Sequence, residues 1–159
     1  MNNYYGDSAF TYEVGEVIKD LKNLLKITKE SLYLGIDQAV SGNRIGDIGF
    51  AIQQHAEDFE YSVVRELVGH GVGKALHESP QVPNYGRRGD GNKLKEGLVI
   101  AIEPMVNTGV KSIFQHKDGW TITTADNKPS AHFEHTVVVR KGKAEVLSSF
   151  EEIEKKING

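Results

Sequence analysis

The sequence contains no cysteine, which excludes disulfides, thiolate metal sites and a cysteine nucleophile. It lacks any apolar run close to the roughly 18 residues that a membrane span needs, and its first residues lack the basic and apolar segments of a signal peptide. The 19 basic and 22 acidic side chains nearly balance and form no basic block, so nucleic acid is disfavoured as a partner. We therefore expect a cytoplasmic protein that binds neither membranes nor nucleic acid.

The chain has 159 residues, of which 38% are hydrophobic, so it can form one domain with its own core. The periodicity of its apolar residues predicts a strand, two helices and then several strands, which is typical of an α+β fold with an antiparallel sheet. Helices are predicted over 18–40, 44–59 and 150–157. Strands are predicted over 3–12, 61–67, 98–103, 120–124, 132–140 and 144–147. The segments 69–73 and 77–92 are predicted to be irregular.

The two long helices have predicted apolar stripes that would face the core. The first stripe comprises Ile18, Leu21, Leu25, Leu32 and Ile36, and the second comprises Ile45, Ile48, Ile52 and Phe59. Gly46 and Gly49 lie about one turn apart in the second helix, where each costs about 1 kcal/mol relative to alanine. This pair indicates either close packing against another element or local flexibility.

Four side chains that can bind metal ions occur among apolar or small residues: Asp7, His70, Glu103 and Glu134. Side chains alternate along a strand, so each glutamate is expected to share a sheet face with apolar residues. A carboxylate there is costly unless it is paired or bound to a cation. Two such glutamates aimed at one place would raise each other's pKa unless a cation lies between them. Three carboxylates and one imidazole form a hard ligand set that suits Mn(II), Fe(II), Co(II) or Zn(II).

Each of these four residues also has a simpler interpretation. Glu103 could pair with Arg65, and Glu134 with His135. The other two could be ordinary loop or turn residues that hydrogen-bond the backbone. No functional role is assigned at this point to three further histidines: His55, His116 and His132.

Five segments, in this order, resemble type I methionine aminopeptidases: YYGDSAF, VGHGVGKALHESPQVPNYG, LKEGLVIAIEPM, DGWTITT and SAHFEHTVVV. The resemblance extends from Asn3 to about Phe150. It implies the pita-bread fold, of which this chain would form the C-terminal half plus the last strand of the N-terminal half. Residues 1–159 are accordingly expected to be a single incomplete metallopeptidase catalytic domain. The implied activity is metal-dependent removal of the N-terminal methionine from nascent peptides.

The resemblance also implies a metal site with two ions. Asp7, His70, Glu103 and Glu134 would be the ligands, and Glu103 would also transfer protons. The family has a further ligating aspartate and a further catalytic histidine upstream of the position of Asp7, and neither is in this sequence. Three carboxylates against two divalent cations therefore imply one tight metal site and a weak or empty second one.

Substrate contacts are implied as well. His77 would hydrogen-bond the peptide during catalysis, Trp120 would line the methionine pocket, and Leu76 falls where the family usually has an aromatic wall. The peptide partners would carry methionine at their first position.

Three consequences and one alternative follow from the incomplete resemblance. Activity would be impaired, the face that meets the other half of the fold would be exposed, and self-association through it is expected. Met1 is either an internal methionine of a longer chain or the start of a short protein. The alternative function is a non-catalytic pita-bread binding module, although such a module would have no physical need for buried carboxylates.

Overall fold

The computed structural model describes residues 2–158, so Met1 and Gly159, the two limits of the predicted domain, lie outside the described residues. In chain order the elements are β1 (Ser8–Ala9), α1 (Lys19–Gln38), α2 (Ile45–Asp58), β2 (Ser62–Val63), β3 (Gly69–Gly71), β4 (Glu78–Val82), β5 (Val99–Ile102), β6 (Met105–Asn107), β7 (Ile113–Gln115), β8 (Ile122–Thr124), β9 (Ser130–His132), β10 (Glu134–Val138), β11 (Glu145–Val146) and α3 (Glu151–Asn158). Helices and antiparallel strands in this order confirm the predicted α+β class.

The main sheet has the strand order β1-β10-β5-β3-β4, and β11 also pairs with β10. All of its pairings are antiparallel. The register places His135 of β10 beside Ser8 of β1 on one side and beside Ile102 of β5 on the other. Neighbouring strands lie about 4.8 Å apart, so side chains at matching ends of these strands are brought close together. Smaller sheets with the orders β2-β6-β9 and β7-β8 complete the strand pairing of the described chain.

Helix α1 packs against α2 and against strands β5, β6, β9 and β10. Its buried face differs from the predicted stripe, because Leu24 and Ile27 are each 1% exposed whereas Ile18 precedes the helix and is 66% exposed. The sequence pattern misplaced the apolar stripe of α1 because two polar residues lie within the buried face of this helix. Thr28 and Ser31 are buried with their hydroxyls donating to carbonyls one turn back, at 2.7 Å each.

The paired glycines of α2 lie where another segment crosses the helix. A Cβ on Gly49 would lie 2.3 Å from the carbonyl oxygen of Tyr85, and one on Gly46 would lie 2.4 Å from that of Arg87. Close packing, rather than flexibility, is therefore the reason for glycine at both positions. Phe59, predicted on the apolar stripe of α2, instead caps its C-terminus and is 46% exposed.

The prediction that residues 69–73 are irregular was wrong, because Gly69–Gly71 forms the buried strand β3. A Cβ on Gly69 would lie 2.3 Å from the carbonyl oxygen of Ala101, and one on Gly71 would lie 2.3 Å from that of Ser79. Glycine here permits close approach of neighbouring backbones rather than breaking the strand. The predicted loop 77–92 likewise contains β4, in which Pro80 is accommodated where the pairing with β3 shifts register.

Other strand boundaries differ from the predictions. Residues 132–140 do not form one strand, because Phe133 breaks it: β9 pairs with β6, and β10 pairs with β5. Only Ser8–Ala9 of the predicted strand 3–12, and Ser62–Val63 of 61–67, are paired, and β6 and β7 were missed. Phe133 packs edge-on against Phe10 at a centroid distance of 5.0 Å, and this ring contact places the N-terminal segment against the sheet.

No helix among residues 2–158 is both long and apolar enough to cross a membrane.

Candidate metal centre

Four adjacent strands of the main sheet bring the four predicted ligands together. Asp7 directly precedes β1, Glu134 begins β10, Glu103 directly follows β5, and His70 lies in β3. The Nε2 atom of His70 lies 3.8 Å from Oδ2 of Asp7 and 3.5 Å from Oε1 of Glu103. One metal-binding atom from each of His70, Glu103 and Glu134 lies within 4.8 Å of the others, and the same holds for Asp7, His70 and His77. These spacings are short enough for several of the side chains to contact one ion.

The imidazole of His70 is oriented for metal binding. Its Nδ1 lies 3.0 Å from the carbonyl oxygen of Gly71. A carbonyl can only accept a hydrogen bond, so Nδ1 carries a proton and Nε2 is the ring nitrogen that a metal ion could contact. Nε2 faces the carboxylates of Asp7 and Glu103, and the residue is only 8% exposed. An imidazole oriented through its other nitrogen in this way is the usual arrangement of metal-ligating histidines.

Asp7 is held by a reciprocal pair of hydrogen bonds with Thr136 of β10. The N–H of Asp7 donates to the Thr136 hydroxyl oxygen at 2.8 Å, and that hydroxyl donates to the carbonyl oxygen of Asp7 at 2.7 Å. The N–H of Ser8 then donates to Oδ1 of Asp7 at 3.0 Å. The short segment that carries Asp7 is therefore anchored directly to the strand that carries Glu134.

The carboxylates destabilise one another's ionised forms. Burial, followed by the charge of Asp7, raises the pKa of Glu103 to about 7. Burial, followed by the charges of Glu103 and then Asp7, raises the pKa of Glu134 to about 8. Within residues 2–158, Asp7 and Glu103 form ion pairs with imidazoles only, and none of the three carboxylates pairs with lysine or arginine. A divalent cation at this place would relieve the repulsion.

The simpler interpretations of the two glutamates were wrong. Arg65 does not pair with Glu103, because its guanidinium lies over the ring of Tyr85 at 4.9 Å from the centroid. His135 points to the opposite face of β10 from Glu134, where its Nδ1 lies 2.7 Å from the Ser148 hydroxyl. Neither glutamate is neutralised by the partner that the sequence suggested.

Two residues beside Glu103 were missed by the sequence reasoning. His132 has Nε2 at 3.6 Å from Oε2 of Glu103, and burial lowers its pKa despite the opposing charge of Asp7. Asn84 is fully buried, and its amide nitrogen donates to the carbonyl oxygen of Glu103 at 3.1 Å. No local pattern identifies His132, because the strand breaks at Phe133, between this residue and Glu134.

The three predicted substrate-binding residues differ in how far their side chains are exposed to solvent. His77 is exposed, and its ring meets that of His70 edge-on at a centroid distance of 4.3 Å. Leu76 is half-buried in the turn before β4. Trp120 is 89% exposed, in a turn whose backbone hydrogen-bonds Asp118. His77 thus adjoins the ligand cluster, whereas the roles of Leu76 and Trp120 stay predictions.

The sequence that places three carboxylates and a histidine together on this sheet also matches a family profile. The profile of Metallopeptidase family M24 matches residues 1–141. The chain belongs to this family of metallopeptidases, whose members share the pita-bread fold.

Within the family the chain is similar to methionine aminopeptidases. It is 49% identical to methionine aminopeptidase 1 of Bacillus subtilis over 148 residues, which are 93% of this chain and 60% of that protein. The crystal structure of methionine aminopeptidase from Rickettsia prowazekii matches with a TM-score of 0.90 and 44% identity, over 92% of this chain and 59% of that one. The prolidase from Pyrococcus furiosus shares the fold, with a TM-score of 0.73 at 23% identity. The chain spans about 60% of the length of the curated relatives that it matches.

The raised pKa values of the two glutamates predict how the stability of the metal-free chain depends on pH. Glu103 and Glu134 hold protons more tightly in the folded chain than at their ordinary pKa of 4.5. Burial lowers the pKa of His135 to about 4 and also lowers the pKa of His132, so below about pH 6.5 these imidazoles bind fewer protons in the folded chain and offset the glutamates. Between about pH 6.5 and about pH 8 the glutamates alone remain, the folded state binds more protons than the unfolded state, and the free energy of unfolding falls as pH rises. Urea unfolding in the presence of a chelator, measured across this interval, checks the slope.

Substituting Glu134→Gln should flatten much of the slope, because the amide does not titrate. Glu16→Gln, which changes an exposed carboxylate that is not one of the clustered carboxylates, should leave it unchanged. A stability that rises through the same interval, or an unaltered slope in Glu134→Gln, would contradict the electrostatic description of the site.

Proposed function

We propose that this chain carries the metal centre of a cytoplasmic methionine aminopeptidase, which removes an N-terminal methionine when the following residue is small. One observation carries the proposal: three carboxylates lie beside the imidazole of His70 without a lysine or arginine partner in the described chain. The proposal is supported by similarity to methionine aminopeptidases at 44–49% identity. Asp7, His70, Glu103 and Glu134 would be the metal ligands.

The donor set fits a divalent ion such as Mn(II), Fe(II), Co(II) or Zn(II), because it consists of carboxylate oxygens and one imidazole nitrogen. His70 would supply its Nε2 lone pair, and the carboxylates would supply the negative charge. When bound, divalent ions lower the pKa of a water molecule and polarise the scissile carbonyl.

Glu103 is the proposed proton-transfer residue. Its Oε1 lies 3.5 Å from Nε2 of His70, so its carboxylate borders the proposed place of the ion. Its carboxylate would take the proton of the attacking water and deliver it to the departing amine. Asn84 fixes the backbone of Glu103, so the carboxylate would keep its place while its protonation changes.

His77 is the proposed substrate-binding histidine. It is exposed and adjoins His70, so its ring can reach a peptide that lies against the cluster. A hydrogen bond from His77 to the developing oxyanion or the substrate amide would stabilise the transition state by about 2.7–4 kcal/mol. Leu76 and Trp120 would contact the methionine side chain.

The alternative, a non-catalytic binding module, explains the site less well. Burying carboxylates that repel one another is costly and would serve no purpose in a module that binds no metal. The retained set of Asp7, His70, Glu103 and Glu134 therefore favours the enzyme.

The 159-residue chain should bind one divalent ion tightly and a second weakly or not at all. Its three carboxylates contribute a charge of −3 against +4 for two ions, and only the ion beside His70 would have a nitrogen ligand from the proposed set. Calorimetric titration with Mn(II) should therefore show one high-affinity ion per chain. Two ions of equal, high affinity would contradict the prediction.

Release of methionine from Met-Ala-Ser, assayed with Co(II) or Mn(II), should be measurable but slower by orders of magnitude than in a full-length methionine aminopeptidase. Glu134→Ala should abolish it, and His77→Ala should lower kcat by about 10²–10³-fold. His116→Ala is the matched control, since the ring of this exposed histidine hydrogen-bonds Thr123 and lies outside the cluster. Activity that survives Glu134→Ala, or no release with either metal, would contradict the proposed function.

We further propose that the 159-residue chain associates with itself. The N-terminal segment exposes large apolar side chains, including Tyr12 at 57%, Val14 at 80% and Ile18 at 66%, and exposed apolar surface favours association. Light scattering should report at least a dimer, and Val14→Glu should shift the mass toward the monomer, whereas Leu147→Glu, at a residue exposed elsewhere, should not. A monomeric wild-type chain would overturn this proposal.

A further inference from the structure

His132 adjoins the ligand cluster without belonging to the proposed ligand set. Its Nε2 atom is buried and has no hydrogen-bond partner among the described residues. The carboxylate oxygen that it faces is Oε2 of Glu103, at 3.6 Å. Leaving a buried nitrogen of this kind without a partner destabilises a fold, so it calls for a physical explanation.

The backbone of His132 is fixed by a reciprocal pair of hydrogen bonds. Its N–H donates to the Thr11 hydroxyl oxygen at 3.0 Å, and that hydroxyl donates back to the carbonyl oxygen of His132 at 2.7 Å. The same arrangement joins Asp7 to Thr136 on the neighbouring strand. His132 is thus held as firmly as a proposed ligand, with its ring directed at the cluster.

The two oxygens of Glu103 face two different imidazoles. Oε1 lies 3.5 Å from Nε2 of His70, and Oε2 lies 3.6 Å from Nε2 of His132. The second separation is slightly longer than an N–H···O hydrogen bond, and contacts at catalytic sites commonly tighten when the site is loaded. A small rotation of either side chain would close it.

Direct ligation by His132 is less well supported than a hydrogen bond. Within residues 2–158, the groups of three side chains whose donor atoms lie mutually within 4.8 Å include His70, but none includes His132. An ion shared by His132 and Glu103 would therefore lack a third ligand at that spacing. A hydrogen bond from His132 to Glu103 needs no third group.

We propose that His132 is a positioning residue, whose Nε2–H donates to Oε2 of Glu103 and thereby directs Oε1 toward the ion beside His70. This inference rests on the proposed metal centre, although not on peptidase turnover. Hydrogen bonds to the outer atoms of metal-ligating side chains orient the ligands, and removing one typically weakens metal binding 10–100-fold.

Calorimetric titration of Mn(II) into three variants tests the inference. His132→Leu should weaken binding by about 10–100-fold, whereas His132→Gln should restore most of the affinity, because its amide N–H can donate to the same oxygen. His116→Leu should bind like the wild type. Unchanged affinity in His132→Leu would overturn the proposal, and so would a His132→Gln variant as weak as His132→Leu.

A second measurement needs neither metal binding nor a folded His132→Leu variant. Long-range ¹⁵N–¹H NMR of the metal-free wild type in alkaline buffer reports which ring nitrogen carries the proton. The His132 signal, identified by its loss in His132→Gln, should show protonated Nε2, and Glu103→Gln should shift it. A ring protonated at Nδ1 alone would overturn the proposal.

These outcomes are separable from those of the proposed function. An inactive wild-type chain whose Mn(II) affinity still depends on His132 would remove the peptidase and leave the positioning role standing. An active chain whose Mn(II) affinity does not depend on His132 would remove the positioning role and leave the proposed peptidase standing.

Discussion

Repulsion between carboxylates in a partly buried place is the constraint on which the site depends. Asp7, Glu103 and Glu134 lie close enough for burial and mutual charge to raise the pKa of both glutamates well above the ordinary value. The described chain provides imidazoles, but no lysine or arginine, to offset this charge. Such an arrangement lowers stability unless a cation occupies it, so its presence indicates selection for binding rather than for folding.

Much of this site could be predicted from sequence because strand alternation is a strong local rule. Glutamates next to apolar strand residues indicated inward-facing carboxylates, and segments that resemble a family joined them into one site. The positions of His132 and Asn84 beside Glu103 could not be predicted, because they depend on how strands separated in sequence pack together. His132 also lies directly before a strand break at Phe133, whose ring packs against the distant Phe10.

The fold was predicted in type but not in its boundaries, and the errors share a cause. Glycine was interpreted as a breaker in β3, whereas there it allows neighbouring backbones to approach to distances that a Cβ would forbid. In α2, close packing was one of two interpretations of the paired glycines, and local flexibility was the other. Polar Thr28 and Ser31 hid part of the buried face of α1, because each satisfies its hydroxyl within its own helix. The close approach of two backbone segments and the hydrogen bonding of a hydroxyl within its own helix are properties of the folded chain. A pattern of residue types does not encode them.

The most direct test of the central claim is anomalous diffraction at the manganese edge from crystals of the chain grown with Mn(II). We expect a strong anomalous peak at bonding distance from Nε2 of His70 and from carboxylate oxygens of Asp7, Glu103 and Glu134. Because metal ligands lie about 2.0–2.2 Å from such ions, the peak should draw these side chains closer together than the separations described above. A map without a peak at His70, or with the ion bound elsewhere on the chain, would contradict the account.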